Sequence, residues 1–112
     1  MAVPYISSYD KTVPFSDTNA NMNLVANVAL TYTVPGPITN KYSMRFAFTS
    51  IANIFVGYNT PALIPASGTI VSEANIEFRP QEQRYVKGGD VLSFITPDTT
   101  QYVGISLRAI PN

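Results

Sequence analysis

The residues of this 112-residue chain that could do chemistry are carboxylates. Glu73, Glu77 and Glu82 lie close together, and Asp90 follows a glycine pair. Two carboxylates facing each other across a cleft could hydrolyse a glycosidic bond. Several oxygen ligands from one short loop could instead hold calcium. Here Arg79, Arg84 and Lys87 are interleaved with the acids, and no DxDxDG-type spacing occurs. The plainer reading is a solvated, salt-bridged strand edge. The chain has no His and no Cys. That removes the commonest general base and proton shuttle and the usual zinc ligands. Neither a Ser–His–Asp nor a Cys–His site can be built. We therefore expect no enzyme, no metal and no cofactor. Without His, no side chain has an ordinary pKa between about 5 and 8, so stability should be nearly flat over that window.

Gly88-Gly89 could suggest a phosphate loop, but the GxxxxGK[ST] pattern between strand and helix is missing. A turn is the simpler role, because glycine tolerates the positive φ that a tight hairpin needs. Tyr5, Tyr9, Tyr42, Tyr58, Tyr85 and Tyr102 are spread along the chain. They could stack on sugars, but packing in a core or at a protein interface suits them as well.

The elements that must position these residues read as β throughout. Leu24, Ala26, Val28, Leu30 and Tyr32 alternate with polar residues and predict one strand over 23–33. Val34-Pro35-Gly36-Pro37 ends it, with Pro35 and Gly36 suited to the centre of a type II turn. A second strand over 41–50 places Tyr42, Met44, Phe46 and Phe48 on one face. A third, at about 52–58, does the same for Ala52, Ile54, Val56 and Tyr58, with a bend at Ser50-Ile51. Residues 59–69 are a loop, broken by two prolines and a Ser-Gly pair. Beyond it, 70–79 and 84–86 are extended, with Ile76 and Phe78 inward. Tyr85 to Ile95 reads as strand, glycine turn, strand, and 101–110 as the last strand. Six to eight short strands with no 3.6-residue period predict an all-β fold, an antiparallel β-sandwich of jelly-roll type.

Residues 1–22 differ from the rest. Two prolines among Ser, Asp, Asn and Thr predict an extended N-terminal arm, leaving 23–112 as the sandwich domain. Tyr5, Tyr9 and Phe15 give that arm something to bury on its own domain or on a neighbour.

Charge is the most unusual property. Asp, Glu, Lys and Arg make up 12% of the chain, seven basic against seven acidic, for a net charge of zero. The usual fraction is about 25%. From Phe46 to Ser72 there is no charged residue at all. A zero net charge argues against nucleic acid and against an anionic membrane surface as partners. No apolar run is long enough for a transmembrane helix, and no basic-then-apolar leader is seen. Cysteine absence fits folding in a cytoplasm. Such ion-poor skin suits contact with another polypeptide. Leu63 and Ile64, at the centre of the uncharged loop, join Tyr5, Tyr9 and Phe15 as candidate interface residues. The plain alternative for Leu63 and Ile64 is that they cap the core.

The runs Arg45-Phe46-Ala47-Phe48, Ile54-Phe55-Val56-Gly57-Tyr58, Tyr85 to Ile95 and Tyr102 to Leu107 resemble small β-sandwich virion proteins of tailed bacteriophages. These are the decoration, cement or staple proteins of the capsid shell. The resemblance covers about residues 42–110 and rests on style and size. It implies a homo-oligomer, dimer or trimer, that binds the major capsid protein or another virion protein. It also implies a location in the virion, with assembly in the host cytoplasm. The family carries no catalytic residues to transfer. The alternative is a carbohydrate-binding module or small lectin-like sandwich.

Overall fold

The computed structural model describes residues 16–49, 52–70 and 72–110. Among these residues the alternating sequence forms eight strands. They are β1 (Thr18–Leu24), β2 (Leu30–Thr33), β3 (Lys41–Phe48), β4 (Phe55–Tyr58), β5 (Ile76–Phe78), β6 (Arg84–Lys87), β7 (Val91–Ile95) and β8 (Gln101–Ala109). Sheet A has the order β1-β8-β3-β6 and sheet B the order β2-β7-β4-β5. Every pairing is antiparallel. The protein is an all-β sandwich, with no helix among the described residues.

The pairings β1–β8, β2–β7, β3–β6 and β4–β5 are nested one inside the next. The chain changes sheet at every connection except the one from β4 to β5. Inward side chains from both sheets make one core. Sheet A supplies Met44, Ile105 and Leu107; sheet B supplies Val56, Leu92 and Phe94. Phe46 of β3 meets Phe94 of β7 edge-on, with ring centroids 5.9 Å apart. That contact ties the two layers by the geometry aromatic quadrupoles favour.

Four sequence expectations need correction in detail. The predicted strand 23–33 is two strands in different sheets. β1 stops at Leu24, Asn27 takes a left-handed φ of 62°, and β2 starts at Leu30. The Asn27 N–H donates to Thr96 O at 2.7 Å, and Val28 N–H to Val25 O at 3.1 Å. Alternation survives the turn at Leu24 and Tyr32, but Val28 and Leu30 are exposed. Residues 18–22, assigned to the arm from sequence, lie within β1, and the rest of that assignment, residues 1–15, lies outside the described residues. Asp17 anchors the start of β1: Asp17 N–H donates to Leu107 O, and Ala109 N–H donates to the Asp17 carboxylate at 2.7 Å.

The glycine turn is present, with Gly89 at φ 89° and Asp90 N–H donating to Lys87 O. It does not close a hairpin. β6 lies in sheet A and β7 in sheet B, so the turn carries the chain across the core. Gly88 is needed for a different reason. A Cβ there would fall 2.1 Å from Pro37 O, in the turn that packs against it. Finally, Ile76 and Phe78 both point outward rather than inward. Glu77 sits opposite Val56 and takes the inner side of β5.

Candidate interaction surface

The two outer faces of the sandwich differ in chemistry. In an antiparallel pair, residues directly opposite share a face, and faces alternate along each strand. On sheet B the outward residues are Thr31 and Thr33 of β2, Val91, Ser93 and Ile95 of β7, Phe55 and Gly57 of β4, and Ile76 and Phe78 of β5. None is charged. Phe78, Phe55 and Ile95 form one row across three strands. The Phe55 and Phe78 rings are 5.1 Å apart, and Phe78 is 51% exposed.

The uncharged loop after β4 folds onto part of this face. A Cβ at Gly57 would lie 2.3 Å from Thr60 O, so only glycine lets the loop backbone come so close. Ala62 N–H donates to Ser93 Oγ at 3.1 Å, which buries both residues. Of the two loop residues singled out from sequence, Leu63 is 42% exposed and Ile64 half-buried. Tyr5, Tyr9 and Phe15 lie outside the described residues. The Phe55–Phe78 pair was not among the candidates. Its signal was the Glu77 between Ile76 and Phe78, a charge read as outward that in fact faces Arg84.

Sheet A presents the opposite character. Its outward strand residues include Asn19, Asn21 and Asn23 of β1, Ser43 of β3, Ser106 of β8 and the exposed Tyr85 and Tyr102. Its outward charges, Lys41, Arg45, Lys87 and Arg108, are all basic. A net charge of zero therefore conceals segregation. Tyr85 shares a row with Ser43 and Arg108, while Tyr102 sits six residues further along β8. That separation is about 20 Å along the strand. The two rings do not form one stacking platform.

Between the sheets, on the β5–β6 side, lies a cleft of about 250 Å³ lined by Met44, Phe46, Val56, Tyr58 and Leu92 among others. Arg84 of β6 spans its mouth and pairs with Glu77 of β5, with Glu82 3.9 Å away. Asp90 is parted from these glutamates. Its buried carboxylate accepts from Tyr58 Oη (2.7 Å), Asn59 Nδ2 (3.2 Å) and Lys87 N (2.9 Å), with Lys87 Nζ at 3.5 Å. Burial works against ionisation of Asp90, but the donors and the Lys87 charge outweigh it and hold the pKa below the usual carboxylate value. Burial and the same hydrogen bond push the Tyr58 hydroxyl up to about 12. This group joins β4, β6 and β7 and acts as a structural knot. No set of three or more metal-ligating side chains gathers among the described residues. No protein-family model, curated protein or solved structure matches the chain.

Proposed function

We propose that the protein is an adhesive structural subunit of a virion, a decoration or cement protein that stabilises the shell. Sheet B's outer face docks on the major capsid protein or another virion protein. The observation that carries this reading is the uncharged outer face of sheet B, with its Phe78–Phe55–Ile95 row. Apolar area removed from water there contributes about 25 cal/mol per Å², less the cost of ordering the loop. The cations on sheet A set the orientation, since that face prefers water. The nested strand pairing supports a jelly-roll winding, which viral capsid and lectin domains share. That support is by analogy of fold. The lectin-like alternative would need neighbouring aromatic faces, and Tyr85 and Tyr102 stand at opposite ends of sheet A.

Co-sedimentation of the purified chain with emptied capsids from virions of its own source tests the proposal. The wild-type chain should pellet with the shells. Phe78→Asp should stay in the supernatant while keeping its β circular dichroism. Failure of the wild-type chain to bind any virion part, or unaltered binding by Phe78→Asp, would sink it.

A further inference from the structure

Among the described residues the two open sheets have four edge strands, β1 and β6 in sheet A and β2 and β5 in sheet B. An open edge offers unpaired N–H and C=O groups, and proteins blunt it with charge, proline or shortness. Three of the four edges are blunted. β2 has four residues and runs into Val34-Pro35. β5 has three, carries Glu77 and is followed by Arg79-Pro80. β6 has four and carries Arg84 and Lys87. β1 is the exception. Its seven residues, TNANMNL, include no charge and no proline.

Two further observations concern the same strand. Ala20 and Met22, on its inner face, pack against the core yet remain half-buried. A strand added alongside would cover them. On the outer face the Asn19 and Asn21 side chains are engaged within the sheet. Asn19 Nδ2 donates to Ile105 O (3.2 Å) and Ser106 Oγ (3.3 Å), and Asn21 Nδ2 donates to Asn19 Oδ1 (2.6 Å). None of these bonds uses the backbone of β1 itself.

We propose that β1 is a self-pairing edge, joined antiparallel across a two-fold axis to β1 of a second copy of this chain. The two copies of sheet A then form one continuous eight-stranded sheet. With Asn21 on the axis, Ala20 lies opposite the second copy's Met22, and Asn19 opposite its Asn23. This register uses all seven residues and keeps the apolar and polar faces matched, whereas a slip of one residue would invert them. Identity of the partner follows from charge. Self-pairing of β1 brings no like charges together, because none of its seven residues is charged. The seam lies away from sheet B's uncharged face, so it is independent of what that face binds.

Sedimentation velocity of the full chain over a concentration series reads the association directly. A dimer is expected. Met22→Lys places a charge at the seam that can reach water only in the monomer, and should weaken association by more than about tenfold. Because the chain lacks cysteine, oxidised Asn21→Cys should run as a disulfide-linked dimer, while Thr31→Cys, on β2, should not. If Met22→Lys does not fold, the Asn21→Cys cross-link decides alone. A chain monomeric at every concentration would overturn the proposal. So would a dimer that Asn21→Cys does not cross-link, which would put the interface elsewhere. Slow amide exchange along both sides of β1 in a monomer would assign that edge to the chain's own residues 1–15, and would overturn it too.

Discussion

The Tyr58 hydroxyl donates a 2.7 Å hydrogen bond to the buried Asp90 carboxylate, and so joins the end of β4 to the turn that enters β7. The two groups titrate in opposite directions from their ordinary values, and together they bound the pH range in which the fold is stable.

The pH profile should have a plateau and two falling limbs. Asp90 has a lowered folded pKa, so its contribution is complete above the unfolded value of about 3.9 and is lost as pH falls through the folded value. Tyr58 has a raised folded pKa. Its contribution is complete below about 10 and is lost as pH climbs towards about 12. Between about 5 and 8 neither group titrates, nor does any histidine, because the chain has none. Urea unfolding at stepped pH checks this. Asp90→Asn should flatten the acid limb, and Asp90→Ala should cost about 2–4 kcal/mol at neutral pH, by leaving three donors without their acceptor. A sharp transition near pH 6.5 would contradict the scheme.

Gly57→Ala should destabilise by about 1–3 kcal/mol although the added methyl is on the outer face. The cause is backbone against backbone, with Thr60 O only 2.3 Å from the new Cβ. The loop must lift off Ser93. Urea melts give the cost, and faster protease cleavage within residues 59–70 should accompany it.

Phe94→Ala should cost about 3–5 kcal/mol, measured by chemical denaturation. Phe94 is fully buried and is the ring that Phe46 meets from the other layer. Phe78→Ala, on the outer face, should cost about 1 kcal/mol, mainly through its contact with Phe55. The contrast between two phenylalanines separates core packing from exposed skin.

Much of the fold was legible because alternation is a local signal. Tyr42 and Met44 face the core as their spacing predicts, and so do Ile54 and Val56. The signal failed where a turn preserved parity. Leu24 and Tyr32 are both inward, and nothing in period two shows that Asn27 reverses the chain between them. Only the residue type hints at it, since asparagine accepts left-handed φ readily. Sheet membership was not legible either. Lys87-Gly88-Gly89-Asp90 looks the same whether it closes a hairpin or crosses a core. That choice is settled by distant partners, β3 for β6 and β2 for β7. At the candidate surface, the uncharged run holds β4 and the loop over it. Phe78 was missed because β5 lies at an open edge, where the inner side is wet enough for Glu77.

The nested winding also dictates timing. β8 lies between β1 and β3, and pairs Thr18 with Leu107. Contacts so distant along the chain make folding slow, because long loops must close first. Sheet A stays incomplete until β8 is in place. A ribosome still short of Gln101–Ala109 carries β1 and β3 with the strip between them empty, a groove that any passing extended peptide could enter before the rightful one is made.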